Sequence, residues 1–119
     1  MIHCDTGFMT YFEEKIAVCS QKQQELIADG RTDEANFEKI RANVYDIFRT
    51  VYTAGKRAKK EADSVKEFFL ARMEQIPQNW AAALEKAKLH GDARAVQIET
   101  IKLETANEIR SVFLKLWEE

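Results

Sequence analysis

The chain has 119 residues, 45% of them hydrophobic and 32% charged, with one proline and four glycines; this is the profile of one globular domain with a real core, not of a disordered segment. A formal net charge of −2 leaves no global field to draw in nucleic acid or an anionic membrane. No run reaches the ~20 apolar residues of a membrane span, and the opening MIHCDTGFMTYF lacks the basic and apolar regions of a secretory signal.

Two cysteines do not make a disulfide framework, so the expectation is one domain over 1–119 in the cytosol with reduced thiols. Met9 stands beside Met1 as a second candidate start.

Apolar residues recur at three and four along the chain, the helical period, and no segment alternates with the period of a strand. A first helix is expected over 8–29. Phe8, Met9, Phe12, Ile16, Cys19, Leu26 and Ile27 fall in one sector of it, with Gln23 the single polar intruder. Cys19 reads there as a small buried hydrophobe. Gly30 ends this helix.

A second helix is expected over 32–54. Thr32 can cap it, and Asp33 and Glu34 suit the first turn. Its stripe is Phe37, Ile40, Val44, Ile47, Phe48 and Val51, with Tyr45 and Tyr52 on the shoulder. Gly55 marks its end.

A third helix, over about 58–75, shows Val65, Phe68, Phe69, Met73 and Ile76, with Ser64 an alternative cap. Pro77 predicts a break or kink. A fourth covers about 78–90, with Trp80, Ala83, Leu84 and Ala87 inward. A fifth begins after Gly91 with Ile98, Ile101, Ile109, Val112 and Leu116 on its face and Phe113 on the shoulder. The reading is all-α: an antiparallel bundle of five helices, or of four if the third and fourth form one rod.

Two stretches match at an offset of 61. FEKIRANVYDIFRTVY starts at Phe37 and IETIKLETANEIRSVF at Ile98, with Glu38/Glu99, Ile40/Ile101, Arg49/Arg110 and Val51/Val112 identical. Each begins seven residues after a glycine, Gly30 or Gly91. This suggests a bundle of two related helical hairpins.

The residues that carry chemistry do not converge. His3, Cys4 and Asp5 are adjacent, and neighbours in sequence splay apart where zinc needs converging ligands. His90, just before Gly91, suits a helix C-terminus. Neither histidine has a glutamate three residues before it, as the di-iron bundle requires. No glycine-rich phosphate loop and no Gly-x-Ser-x-Gly occurs. No catalytic residue, cofactor or metal is expected.

Two surface features remain. Lys56, Arg57, Lys59 and Lys60 cluster at a helix junction, but Glu61, Asp63 and Glu67 follow and no aromatic residue interleaves. On the last helix Val96, Leu103 and Leu114, with Trp117 at the edge, form a second stripe about 150° from the first. That stripe suggests an interface with a protein partner or a second copy. The functional expectation is a non-catalytic adaptor or regulatory subunit acting by association. The alternative is a nucleic-acid-associated regulator using the basic cluster.

Overall fold

The structure, a computed structural model, describes the backbone of residues 2–118 and the side chains of residues 5–118. It consists of α1 (Ile2–Ala28), α2 (Thr32–Ala58), α3 (Ala62–Leu89) and α4 (Ala93–Glu118), with no strand among the described residues. The all-α bundle expected from the sequence is present in its four-helix form. The weighed metal cluster at His3 and Cys4 lies outside the described side chains.

α1 packs on α2 and α3 on α4, each pair joined by a three-residue turn centred on Gly30 or Gly91. Both glycines hold positive φ, 75° and 65°. The bonds are those of a Schellman closure: Gly30 N–H to Ile27 O (3.0 Å) and Arg31 N–H to Leu26 O (2.8 Å), repeated as Gly91 to Lys88 and Asp92 to Ala87. A side chain at either position would be strained.

The offset of 61 runs through the whole fold. Shifted by 61, Ile2–Ala28 becomes 63–89 and Thr32–Ala58 becomes 93–119, nearly the bounds of α3 and α4. The two hairpins are thus related by a pseudo-two-fold axis along the bundle. α2 and α4 run parallel on the short diagonal, while α1 and α3 nowhere approach within 8 Å at their Cα atoms.

The core shows the same symmetry. Phe8 and Phe69 are equivalent under the offset, as are Tyr52 and Phe113, and all four are fully buried. Every pair among these four rings is in contact, with centroids 4.4 to 6.3 Å apart. The next layer repeats the pairing with Phe12/Met73 and Phe48/Ile109, all buried. Residues 2–8 belong to this fold, since α1 starts at Ile2 and Phe8 sits at the centre of the core.

Gly7, which just precedes the first helix as expected from residue 8, and Gly55, expected to end the second, lie inside α1 and α2. The reason is tertiary. Each faces a large side chain of the other hairpin: Gly7 the side chain of Leu116, and Gly55 the ring of Phe68. The symmetry exchanges these pairs, because Gly7 corresponds to Phe68 and Gly55 to Leu116.

Pro77 also departs from expectation: α3 runs through it from Ala62 to Leu89 without interruption. Proline there removes the bond to the Met73 carbonyl and crowds it. Met73 is buried, and Ile76 and Trp80 pack against the core, so tertiary contacts on both sides carry the helix across. Pro77→Ala should therefore stabilise the fold by about 1–3 kcal/mol. Urea unfolding checks this; an unchanged or lowered midpoint would mean the helix has set around the ring.

Smaller corrections follow from the same packing. Arg31, not Thr32, is the N-cap of α2, and it makes no side-chain capping bond. Ile47 is 38% exposed, whereas Tyr45 and Tyr52 of the shoulder are buried. Of the remaining predicted core, Phe12, Val44, Phe69 and Ile109 are buried, and Ile16, Phe37, Ile40, Val51, Trp80, Leu84, Ile101 and Val112 are half-buried.

Candidate functional site: a tyrosine–carboxylate clamp and an open seam

Tyr11 of α1, Tyr45 of α2 and Glu108 of α4 meet at one point. Both phenols donate to the same carboxylate oxygen, Oε2 of Glu108, Tyr45 at 2.7 Å. Burial first, then the bond to Glu108, pushes both phenols far above their usual range. Burial alone would raise the Glu108 carboxyl, but the two phenol bonds, with Lys15 behind them, outweigh it and hold it below its usual value. At neutral pH an ionised carboxylate is therefore gripped by two neutral phenols, and no proton is poised to move. The trio works as a clamp between hairpins.

The signs define a stability window. Glu108, with a lowered pKa, contributes stability above the ordinary carboxylate range and loses it as pH falls through the folded value. The tyrosines, with raised pKa values, contribute below about 10 and lose it as pH rises beyond. Stability should be flat between about pH 5 and 9 on this account. Tyr45→Phe should cost about 1 kcal/mol, since the carboxylate is partly solvated, and should shrink the acid limb. Thermal unfolding against pH measures both; an acid limb unchanged in Tyr45→Phe would remove the clamp from the explanation.

Toward the two glycine turns the packing changes. All of the large, fully buried side chains but Val44, next to the midpoint of α2, lie in the other half of the bundle. In the turn half, a groove of about 300 Å³ runs between α2 and α4, with Phe37, Val96 and Ile101 as its apolar walls and Arg41 and Glu104 among its polar ones. A larger hollow of about 490 Å³ beside the first turn is lined by Lys22, Glu25, Leu26, Ala28, Asp29 and Arg31. It is mostly exposed charge around one turn, without an apolar floor, so the inter-hairpin groove is the better recognition surface.

Arg41 is held to Glu38 and Lys102 to Glu99, the same pair repeated at the offset of 61. Glu38 and Glu99 are 12% and 13% exposed at the side chain, so each basic partner is tethered at its foot. Lys102 also lies 5.8 Å from the Trp80 ring centre. Glu38 faces Cys19, whose thiol is pushed up by burial and then by that carboxylate. Cys19 is buried, as its place in the stripe implied, and His90 is the C-cap of α3.

The four residues of the second stripe do not form one outer face. All are half-buried. Leu114 and Trp117 pack against the core of their own chain, Val96 lines the groove, and Leu103 is half-covered on α4. In the basic cluster, Lys56 pairs with Asp5 at 2.6 Å and lies over the Tyr52 ring, while Arg57, Lys59 and Lys60 are exposed.

Phe37 and Ile101 read as core from periodicity, and only the parting of the hairpins makes them walls of a groove. The clamp joins three helices, and no local spacing reveals it. Among the described residues no group of three or more His, Cys, Asp or Glu could hold a metal, and no helix is long and apolar enough to cross a membrane. Compared with family models, curated proteins and solved structures, the chain matches none of them.

Proposed function

We propose that this protein is a non-catalytic association module, an adaptor or regulatory subunit of the cytosol, that takes one helix of a protein partner into the α2–α4 groove. The observation that supports this reading is the asymmetry of burial. One half closes on four interlocked rings, while the other leaves Phe37, Val96 and Ile101 half-covered across a seam between hairpins. An amphipathic helix with apolar residues at i, i+3 or i+4, and i+7 fits such a seam. Arg41 and Glu104 at its border suit a helix carrying an acid on one flank and a base on the other.

Val96 keeps the interface role that its place in the second stripe suggests, and Leu103 stands beside it. Leu114 and Trp117 leave it, being occupied by their own core.

The test is in-cell cross-linking with the full chain as bait, followed by titration of the protein so captured. Val96→Asp should keep the helicity and weaken binding by roughly tenfold or more, since it places a charge against buried apolar surface. A complex of unchanged affinity in Val96→Asp would overturn the reading. Salt-dependent retention on heparin that disappears when Arg57, Lys59 and Lys60 are neutralised would move it to nucleic acid instead.

A further inference from the structure

The connection between the hairpins is built differently from the turns within them. Each turn inside a hairpin reverses through a glycine in the left-handed conformation. The linker Lys59-Lys60-Glu61 contains neither glycine nor proline. It reverses direction through ordinary extended backbone, with φ −121° and ψ 137° at Lys59 and φ −93° and ψ 144° at Glu61. No side chain caps α3 at Glu61.

Nothing local forces this reversal. Lys, Arg, Glu and Ala, which fill 56–62, are all good helix formers. The backbone bonds bordering the linker, Lys59 N–H to Gly55 O and Val65 N–H to Glu61 O, already have helical spacing. Continuing the ladder between them would give partners to the N–H groups of 60–64. The charges suit both states. In the bent chain, Lys56 and Arg57 sit at the C-terminus of α2, and Glu61 and Asp63 at the start of α3. In a straight chain, Arg57/Glu61 and Lys59/Asp63 become i,i+4 pairs.

Each hairpin is a continuous unit whose two helices pack on each other more closely than either packs on any one helix of the other hairpin. Their seam is complementary: the glycine–large pairs Gly7/Leu116 and Phe68/Gly55 join hairpin one to hairpin two. A like pairing would set glycine against glycine, or Phe68 against Leu116.

From these observations we infer that a second copy of this chain is a partner, and that it binds by exchanging hairpins. The linker straightens, and α2, residues 59–61 and α3 become one helix over 32–89, about 87 Å long. The first hairpin of each copy then packs on the second hairpin of the other. Contacts within each hairpin are kept and every contact between hairpins is re-formed between copies, so the balance rests on the linker and on protein concentration. This association uses the seam inside the bundle and not the α2–α4 groove, so the two readings succeed or fail separately.

The experiment refolds the full chain from denaturant at a few and at several hundred micromolar, followed by light scattering on sized fractions. Dimer should appear at the high concentration and persist for hours on dilution at low temperature. Lys59→Ala with Lys60→Ala should raise the dimer fraction. Lys60→Pro should lower the dimerisation constant by roughly 100-fold or more, because proline would remove a ladder bond and crowd the preceding turn of the straight helix at an exposed position, without the flanking core contacts that carry α3 across Pro77. The bent form tolerates it: Lys59 is already in the extended region that precedes proline, and the Lys60 N–H makes no backbone hydrogen bond.

Gly7→Cys with Leu116→Cys, in a background lacking Cys4 and Cys19, distinguishes exchange from side-by-side pairing. On oxidation, the exchanged dimer links covalently between copies and the monomer within one. A dimer whose cross-link stays within each copy, or an alanine variant that remains monomeric under all these conditions while fully helical by circular dichroism, would overturn the inference. Val96→Asp should leave the exchange untouched.

Discussion

Phe69→Ala should cost about 3–5 kcal/mol, the largest loss expected from any single truncation in this protein. Phe69 is fully buried and touches the rings of Phe8, Tyr52 and Phe113, and that of Phe48 at 6.3 Å. Removing it opens a cavity on the symmetry axis, where all four helices supply a ring and none can close the gap without dragging its own hairpin. A domain of this length has roughly 6–18 kcal/mol of total stability. The loss should therefore lower the unfolding temperature by roughly 12–20 °C. Phe37→Ala is the control. Phe37 is equally large but half-buried beside the groove, and it should cost about 1 kcal/mol. Similar losses at the two positions, measured by calorimetry, would mean that the core is not concentrated at one end.

Much of this architecture is legible in the chain because it is local. The period of Phe8, Phe12 and Cys19 sets a buried face for α1, and Gly30 and Gly91 stop helices where a left-handed residue is needed. The offset between Glu38 and Glu99 is plain in the order of residues alone, and it extends to whole hairpins. What could not be read depends on the other hairpin. Gly55 looks like a helix stop until the Phe68 ring is seen against it. Pro77 looks like a break until Met73 and Trp80 are seen anchored on either side.

The second stripe on α4 has a similar origin. α4 lies on the short diagonal and packs against α1, α2 and α3. Its apolar arc is therefore wide, and Leu114 and Trp117 are covered from within the chain. α2 occupies the equivalent place, and its rotation toward the axis brings Tyr45 and Tyr52 inward and leaves Ile47 outside. A helical wheel centred on aliphatic residues cannot know this, because the axis is lined by rings. The groove is less legible still: it exists only because one half of the seam is closed by large aromatics and the other is not.

The seam's pairing rule makes the last prediction. Gly55→Leu should destabilise by about 2 kcal/mol, although leucine is the better helix former by about 1 kcal/mol. A Cβ at position 55 would stand 2.9 Å from Cδ1 of Phe68, closer than carbon atoms pack, and the rest of the leucine would occupy the space of the ring. Swinging Phe68 out would give up its contact with the Arg72 guanidinium, 4.7 Å from its ring centre on the same helix, and uncover the ring's packed face. The symmetry-related site behaves differently. A Cβ at position 7 would meet Leu116 at 3.6 Å, an ordinary contact, so Gly7→Ala should be neutral or stabilise by up to about 1 kcal/mol. If size complementarity is what matters at Gly55, then Phe68→Ala should relieve Gly55→Leu. The double variant should be more stable than the sum of the single losses implies, by about 1 kcal/mol or more. Chemical denaturation of the four proteins in this cycle, with Gly7→Ala beside them, decides the matter. Additive losses would mean that Phe68 and the residue at 55 do not compete for the same space, and the glycine–large pairing would then have no role in keeping the first hairpin against the second.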